Sequence, residues 1–107
     1  MVIVMNTIIN INIRNIDNYK GDGRYVILDV RNEEEYKKHH IDGAVNIPYR
    51  QIEYEEADLD RSKIYVVYCE HGGVSIMAAK KLYKRGYQVI NTIGGLAAYE
   101  RYKLKFN

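Results

Sequence analysis

At 107 residues and 12.5 kDa, the chain has the length of one domain, large enough to close a hydrophobic core and too short for two lobes. Hydrophobic residues at 47%, charged residues at 28% and a net charge of +2 without a basic stripe describe an ordinary soluble globule and argue against a nucleic-acid partner. No apolar run approaches the roughly 20 residues that span a bilayer, and a single cysteine excludes an intramolecular disulfide framework or a multi-cysteine zinc site.

The chain opens with MVIVMNTIININI, which lacks a basic start and a small-residue cleavage site, so a cytoplasmic address without a membrane partner is expected. Within it, Ile8 to Ile13 reads as an accessory strand. Tyr25 to Val30, YVILDV, follows a turn at Gly21 to Gly23 and is the clearest strand signal. Asn32 then caps a predicted helix through His39, with Glu33, Glu34 and Glu35 at its positive end and Lys37 and Lys38 toward the other. A short helix is expected after Pro48, with Glu53 to Glu56, EYEE, as a solvated helix face.

Ile64 to Tyr68, IYVVY, is a second strand and Val89 to Thr92 a shorter third. Between them, from Ser75 to Arg85, Ile76, Ala79, Leu82 and Tyr83 recur at helical spacing, and Gly86 stands where a left-handed residue ends a helix. A last helix starts after Gly94 and Gly95 and runs through Tyr102. Nearly continuous apolar strands suit a sheet covered on both faces. The alternation therefore predicts an α/β fold, a small central parallel sheet flanked by helices, in one domain over residues 1–107.

The segment that does not read as scaffolding is Tyr68 to Ser75, YCEHGGVS, which sets a thiol at the end of a buried strand and before a helix. Ligands of open α/β sheets bind at such strand ends. Gly72 and Gly73 free the backbone, so amides from Glu70 to Ser75 are expected to curl around the sulfur as an anion cradle. The following helix points its positive end at the same spot, and both effects stabilise a thiolate or a persulfide anion. The plain alternative is that Cys69 is a small buried hydrophobe at a strand terminus.

Four segments in order carry a family resemblance over about residues 8 to 104: VILDVRNEEEY, HIDGAVNIP, VVYCEHGGVS and IGGLAAY. The chain resembles the rhodanese superfamily. The resemblance implies an active-site loop from Cys69 to Val74, with Cys69 taking sulfur from thiosulfate or a persulfide donor and passing it as a persulfide to cyanide or a thiol. Donors and acceptors are then small sulfur compounds or a persulfidated protein, the loop amides hold the anion, and no metal or organic cofactor is required. The expected persulfide-binding loop is Glu70, His71, Gly72, Gly73, Val74 and Ser75.

The chain departs from the pattern in places. Val74 stands where many members have arginine, and Glu70 where a basic or polar residue is common, so a doubly charged donor is expected to be drawn in less. Arg31 is a candidate pocket cation, and Lys80 another. Tyr99 replaces the usual closing tryptophan. Phosphatases of this fold need a loop one residue longer, with five residues between the cysteine and an arginine, and Ser75 holds that place.

Other residues read more plainly. Ser75 caps its helix, Asp29 is structural, His71 is an auxiliary candidate, and His40 belongs to the framework. The adjacent His39 and His40 do not converge as metal ligands would. Most of the eleven tyrosines are expected in the core or at its edge. Two functions remain at this point: a sulfurtransferase, and a binding or sulfur-sensing module that kept the shape without turnover.

Overall fold

A computed structural model describes residues 8–106, so the start of the N-terminal segment on which the cytoplasmic expectation rested lies outside the described residues. Five strands form one all-parallel sheet in the order β1-β5-β4-β2-β3. They are β1 (Ile9–Asn12), β2 (Tyr25–Asp29), β3 (Val45–Asn46), β4 (Ile64–Tyr68) and β5 (Gln88–Ile93). The helices are α1 (Glu33–Lys38), α2 (Tyr49–Glu53), α3 (Gly73–Lys84) and α4 (Gly95–Phe106), with a 3-10 helix at Ile13–Tyr19.

The central strands show why a parallel sheet reads as unbroken apolar sequence. Side chains alternate between faces. Along β4 and the residue just past it, Val66 and Tyr68 enter a core with Ile13, Ile16, Leu96 and Tyr99, whereas Tyr65, Val67 and Cys69 enter a second with Leu28, Ala78, Ala79 and Leu82. Both faces are thus covered, and each fully buried valine contributes roughly 1.5–3 kcal/mol by leaving water. Among the described residues no helix is long and apolar enough to cross a membrane.

Local signals set most boundaries. The Asn32 side chain accepts from the Glu35 amide at the start of α1, and Gly86 takes the left-handed conformation past α3 (φ +89°). Three readings are corrected. Strand β1 stops at Asn12, whose side chain accepts from the Arg14 amide and turns the chain into the 3-10 helix, where Ile13 and Ile16, three apart, bury together. The acidic run EYEE is not a helix face beyond Glu53: Tyr54 caps α2 and Glu55 turns left-handed (φ +59°), while Arg85 donates to the Ile52 and Glu53 carbonyls that a longer helix would have used.

Ser75 is not the cap of α3. The helix begins two residues earlier, with Gly72 as its left-handed cap (φ +110°), because glycine alone enters that conformation without strain. The tyrosines follow expectation in the main: Tyr65, Tyr68 and Tyr99 are buried, while Tyr54 is exposed.

Candidate active site

The end of β4 places Cys69 on the α3 side of the sheet, 3% exposed. Two amides meet its sulfur: the Gly72 N–H donates to Sγ at 3.0 Å and the Ser75 N–H at 3.2 Å. The Ser75 hydroxyl turns away and donates to the Gly72 carbonyl at 3.2 Å. Thus the turn that starts α3 is closed by the side chain and aimed at the thiol by the backbone. Such a cradle favours a negative charge on whatever occupies the Sγ position.

The loop is held from behind by α4. Its first-turn amides, Leu96 and Ala97, donate to the carbonyls of Cys69 (2.8 Å) and Glu70 (3.1 Å). This close approach requires glycine at 95, where φ is +69° and the Glu70 backbone fills the space a Cβ would occupy. The last signature, IGGLAAY, therefore positions the loop from a distance of about 25 residues along the chain.

A cleft of about 560 Å³ opens over the thiol. The loop supplies Cys69, Glu70, His71, Gly73 and Val74; the end of β2 and start of α1 supply Val30, Arg31, Asn32 and Glu35; Pro48, Tyr49 and Arg50 come from the start of α2.

Arg31 lines this cleft, yet its charge is already matched. Its guanidinium donates to Asp29 through Nε and Nη2 (2.9 Å for the latter), to the His39 carbonyl at 2.7 Å, and to Glu70 through Nη1 at 3.2 Å. Burial works against the charge, but the hydrogen bonds and charge of Asp29 outweigh it and hold the Arg31 proton more firmly than usual. Glu70 correspondingly faces a cation. Asp29 also accepts from the Tyr68 hydroxyl at 2.6 Å, and that oxygen accepts from the Ile41 amide at 3.1 Å. Burial, reinforced by Asp29, raises the Tyr68 phenol far above its ordinary range, so it stays a donor.

Lys80 lies elsewhere, beside Met77, Lys81 and Lys84 at a separate depression, so it does not stand in for the missing loop arginine. His71 is exposed in the loop and at the cleft. His39 pairs with Glu100, and His40 stacks on Tyr36 with ring centroids 3.8 Å apart, so the adjacent histidines point to different partners. The Tyr99 ring packs in the core with its hydroxyl on Asp17 at 2.8 Å.

A family model for the rhodanese-like domain matches residues 14–102. The chain belongs to that family. Among curated relatives, thiosulfate sulfurtransferase PspE of Escherichia coli is 34% identical over 80 residues, 73% of this chain and 77% of that protein. A probable molybdopterin-synthase adenylyltransferase of Porphyra purpurea is 38% identical over 84 residues, covering 76% of this chain but only 22% of the algal protein. The chain therefore spans about a fifth of that relative. Among solved structures, a rhodanese-related protein from Thermoplasma volcanium superposes with a TM-score of 0.72 at 29% identity, covering 90% of this chain and 92% of the other. Rhodanese-like membership, with relatives named as sulfurtransferases, supports sulfur transfer as the general chemistry of this domain.

Sequence reasoning missed Pro48, Tyr49 and Arg50 as cleft residues. The one signal was their position at the end of HIDGAVNIP, which closes on Pro48, and directly after it; nothing in their spacing brings them to the thiol.

Proposed function

We propose that residues 1–107 act as one sulfurtransferase domain in which Cys69 carries a sulfane sulfur from thiosulfate or a persulfide donor to cyanide or a thiol. The observation that supports this reading best is the pair of amides on Cys69 Sγ at the floor of the cleft. With thiosulfate, the Cys69 thiolate attacks the outer sulfur. The Sγ–S bond forms, the S–S bond of thiosulfate breaks, and its electron pair leaves with sulfite. Charge is conserved, since thiolate and dianion become persulfide anion and sulfite dianion. Cyanide then attacks the outer persulfide sulfur, thiocyanate departs, and the Cys69 thiolate returns.

In this scheme the Gly72 and Ser75 amides hold the charge through both steps. The Glu70, His71, Gly73 and Val74 positions shape the approach, with Arg31 holding Glu70 and so acting on the pocket through it. No step calls on a metal or organic cofactor.

Intact mass after brief exposure to thiosulfate, with and without cyanide, tests the reading. A gain of about one sulfur mass (~32 Da) that cyanide removes, and that Cys69→Ser lacks, is the expected result. No adduct from thiosulfate or a polysulfide would leave a binding or sulfur-sensing module as the function.

A further inference from the structure

Four charged side chains line the cleft over Cys69: Arg31, Glu35, Arg50 and Glu70. Three of them already have partners. Arg31 is held by Asp29, Glu70 and the His39 carbonyl, Glu70 is held by Arg31, and Glu35 accepts from the Asn32 side-chain amide at 2.8 Å. Arg50 differs. It is exposed on α2, and among the described residues no ion pair or side-chain hydrogen bond engages its guanidinium. The apolar part of the cleft lining is made by Val30, Pro48, Tyr49 and Val74.

We propose that Arg50 is the specificity-determining cation for anionic sulfur donors, gripping the donor's oxyanion end while its outer sulfur meets Cys69. The proposal rests on the sulfur-transfer reading and assigns the donor class for the same site. Its chemistry is that of the guanidinium fork, which matches a sulfonate or carboxylate through two parallel hydrogen bonds and remains charged at all working pH. Val74 leaves the loop without a side-chain cation and Arg31 is neutralised by two carboxylates, so a donor's negative charge meets its counter-charge from the α2 side. The sulfite released on sulfur transfer carries its charge in the same place. An exposed side chain that binds donor and transition state alike changes KM and leaves kcat unchanged.

Two readouts test this in Arg50→Gln and Arg50→Lys. In the first, Cys69 is alkylated by iodoacetate, an anion, and by iodoacetamide, its neutral counterpart. Arg50→Gln is expected to slow iodoacetate several-fold relative to iodoacetamide, and Arg50→Lys to restore part of the difference. In the second, the KM for thiosulfate rises about fivefold in Arg50→Gln at constant kcat, the upper range for an exposed ion pair, and the gap closes in high salt. Equal alkylation ratios in wild type and Arg50→Gln, or an unchanged thiosulfate KM in a protein that does transfer sulfur, overturns the Arg50 assignment alone. Wild-type protein that takes no sulfur from any donor overturns the sulfur-transfer reading, and this proposal falls with it.

Discussion

Gly95 at the start of α4 lies against Glu70 in the cysteine loop so closely that a Cβ there would collide with the Glu70 carbonyl and come within 2.6 Å of the His71 nitrogen. The same contact lets the Leu96 and Ala97 amides reach the carbonyls of Cys69 and Glu70. The loop is thus held in shape by backbone on both sides, the sulfur facing α3 and the carbonyls facing α4.

Gly95→Ala is accordingly predicted to damage the site before it unfolds the domain. Backbone crowding and a positive φ each cost roughly 1–3 kcal/mol. Thermal melting will show a clear drop, and alkylation of Cys69 and sulfur transfer will fall more than the folded fraction does. A variant with wild-type transfer rates would show that this packing does not position the loop.

The buried Asp29–Arg31 pair predicts a larger effect. Their side chains are 0% and 4% exposed. Asp29→Ala leaves a guanidinium buried with only Glu70 and a carbonyl to face, a loss of about 3–5 kcal/mol. Tyr68→Phe removes one donor to Asp29 and one acceptor for Ile41, for about 1–3 kcal/mol. Denaturant midpoints will rank Asp29→Ala below Tyr68→Phe; equal losses would mean that the ion pair is not what anchors the end of β2.

Val74 is 41% exposed at the cleft, so an arginine there has room to reach solvent and substrate. Val74→Arg is predicted to lower the KM for thiosulfate with little change in melting temperature. An unchanged KM in steady-state assays would end the argument that charge limits the use of a dianionic donor.

Acid sensitivity should report on Asp17. Burial opposes its ionisation, but hydrogen bonds from Lys103, Lys20 and Tyr99 outweigh it and hold the carboxyl down to about 2, below the ordinary 3.8. A depressed folded-state value stabilises the fold fully above about pH 4, and that contribution disappears as the pH falls through about 2. Wild type will therefore melt above Asp17→Asn at pH 6, and the two will converge near pH 2. A gap of the same size at both pH values would show that the carboxylate's charge is not what ties the 3-10 helix to α4.

Much of this architecture was legible in order of residue type. The nearly continuous apolar runs YVILDV and IYVVY suit a sheet covered on both faces, because neither face of such a strand is polar enough to be left to water. Asn32 and Gly86 mark helix ends through chemistry local to one turn, and the thiol followed by two glycines marks the loop for the same reason. The short β3 and the 3-10 helix carry no periodicity long enough to read.

The sequence by itself determined the covered sheet and the cysteine at a strand end, because each depends on neighbours within a few residues, and the family, because its four signatures are short local segments whose order along the chain is itself sequence. Tertiary structure alone decided how the charges are shared. Arg31 meets Glu70 across 39 residues, α4 supports a loop formed well before it in the chain, and Arg50 reaches the cleft by the placement of α2. Electrostatic and packing partners are set by distance in space, and no spacing along the chain encodes which of several cations will be left free once the fold has closed.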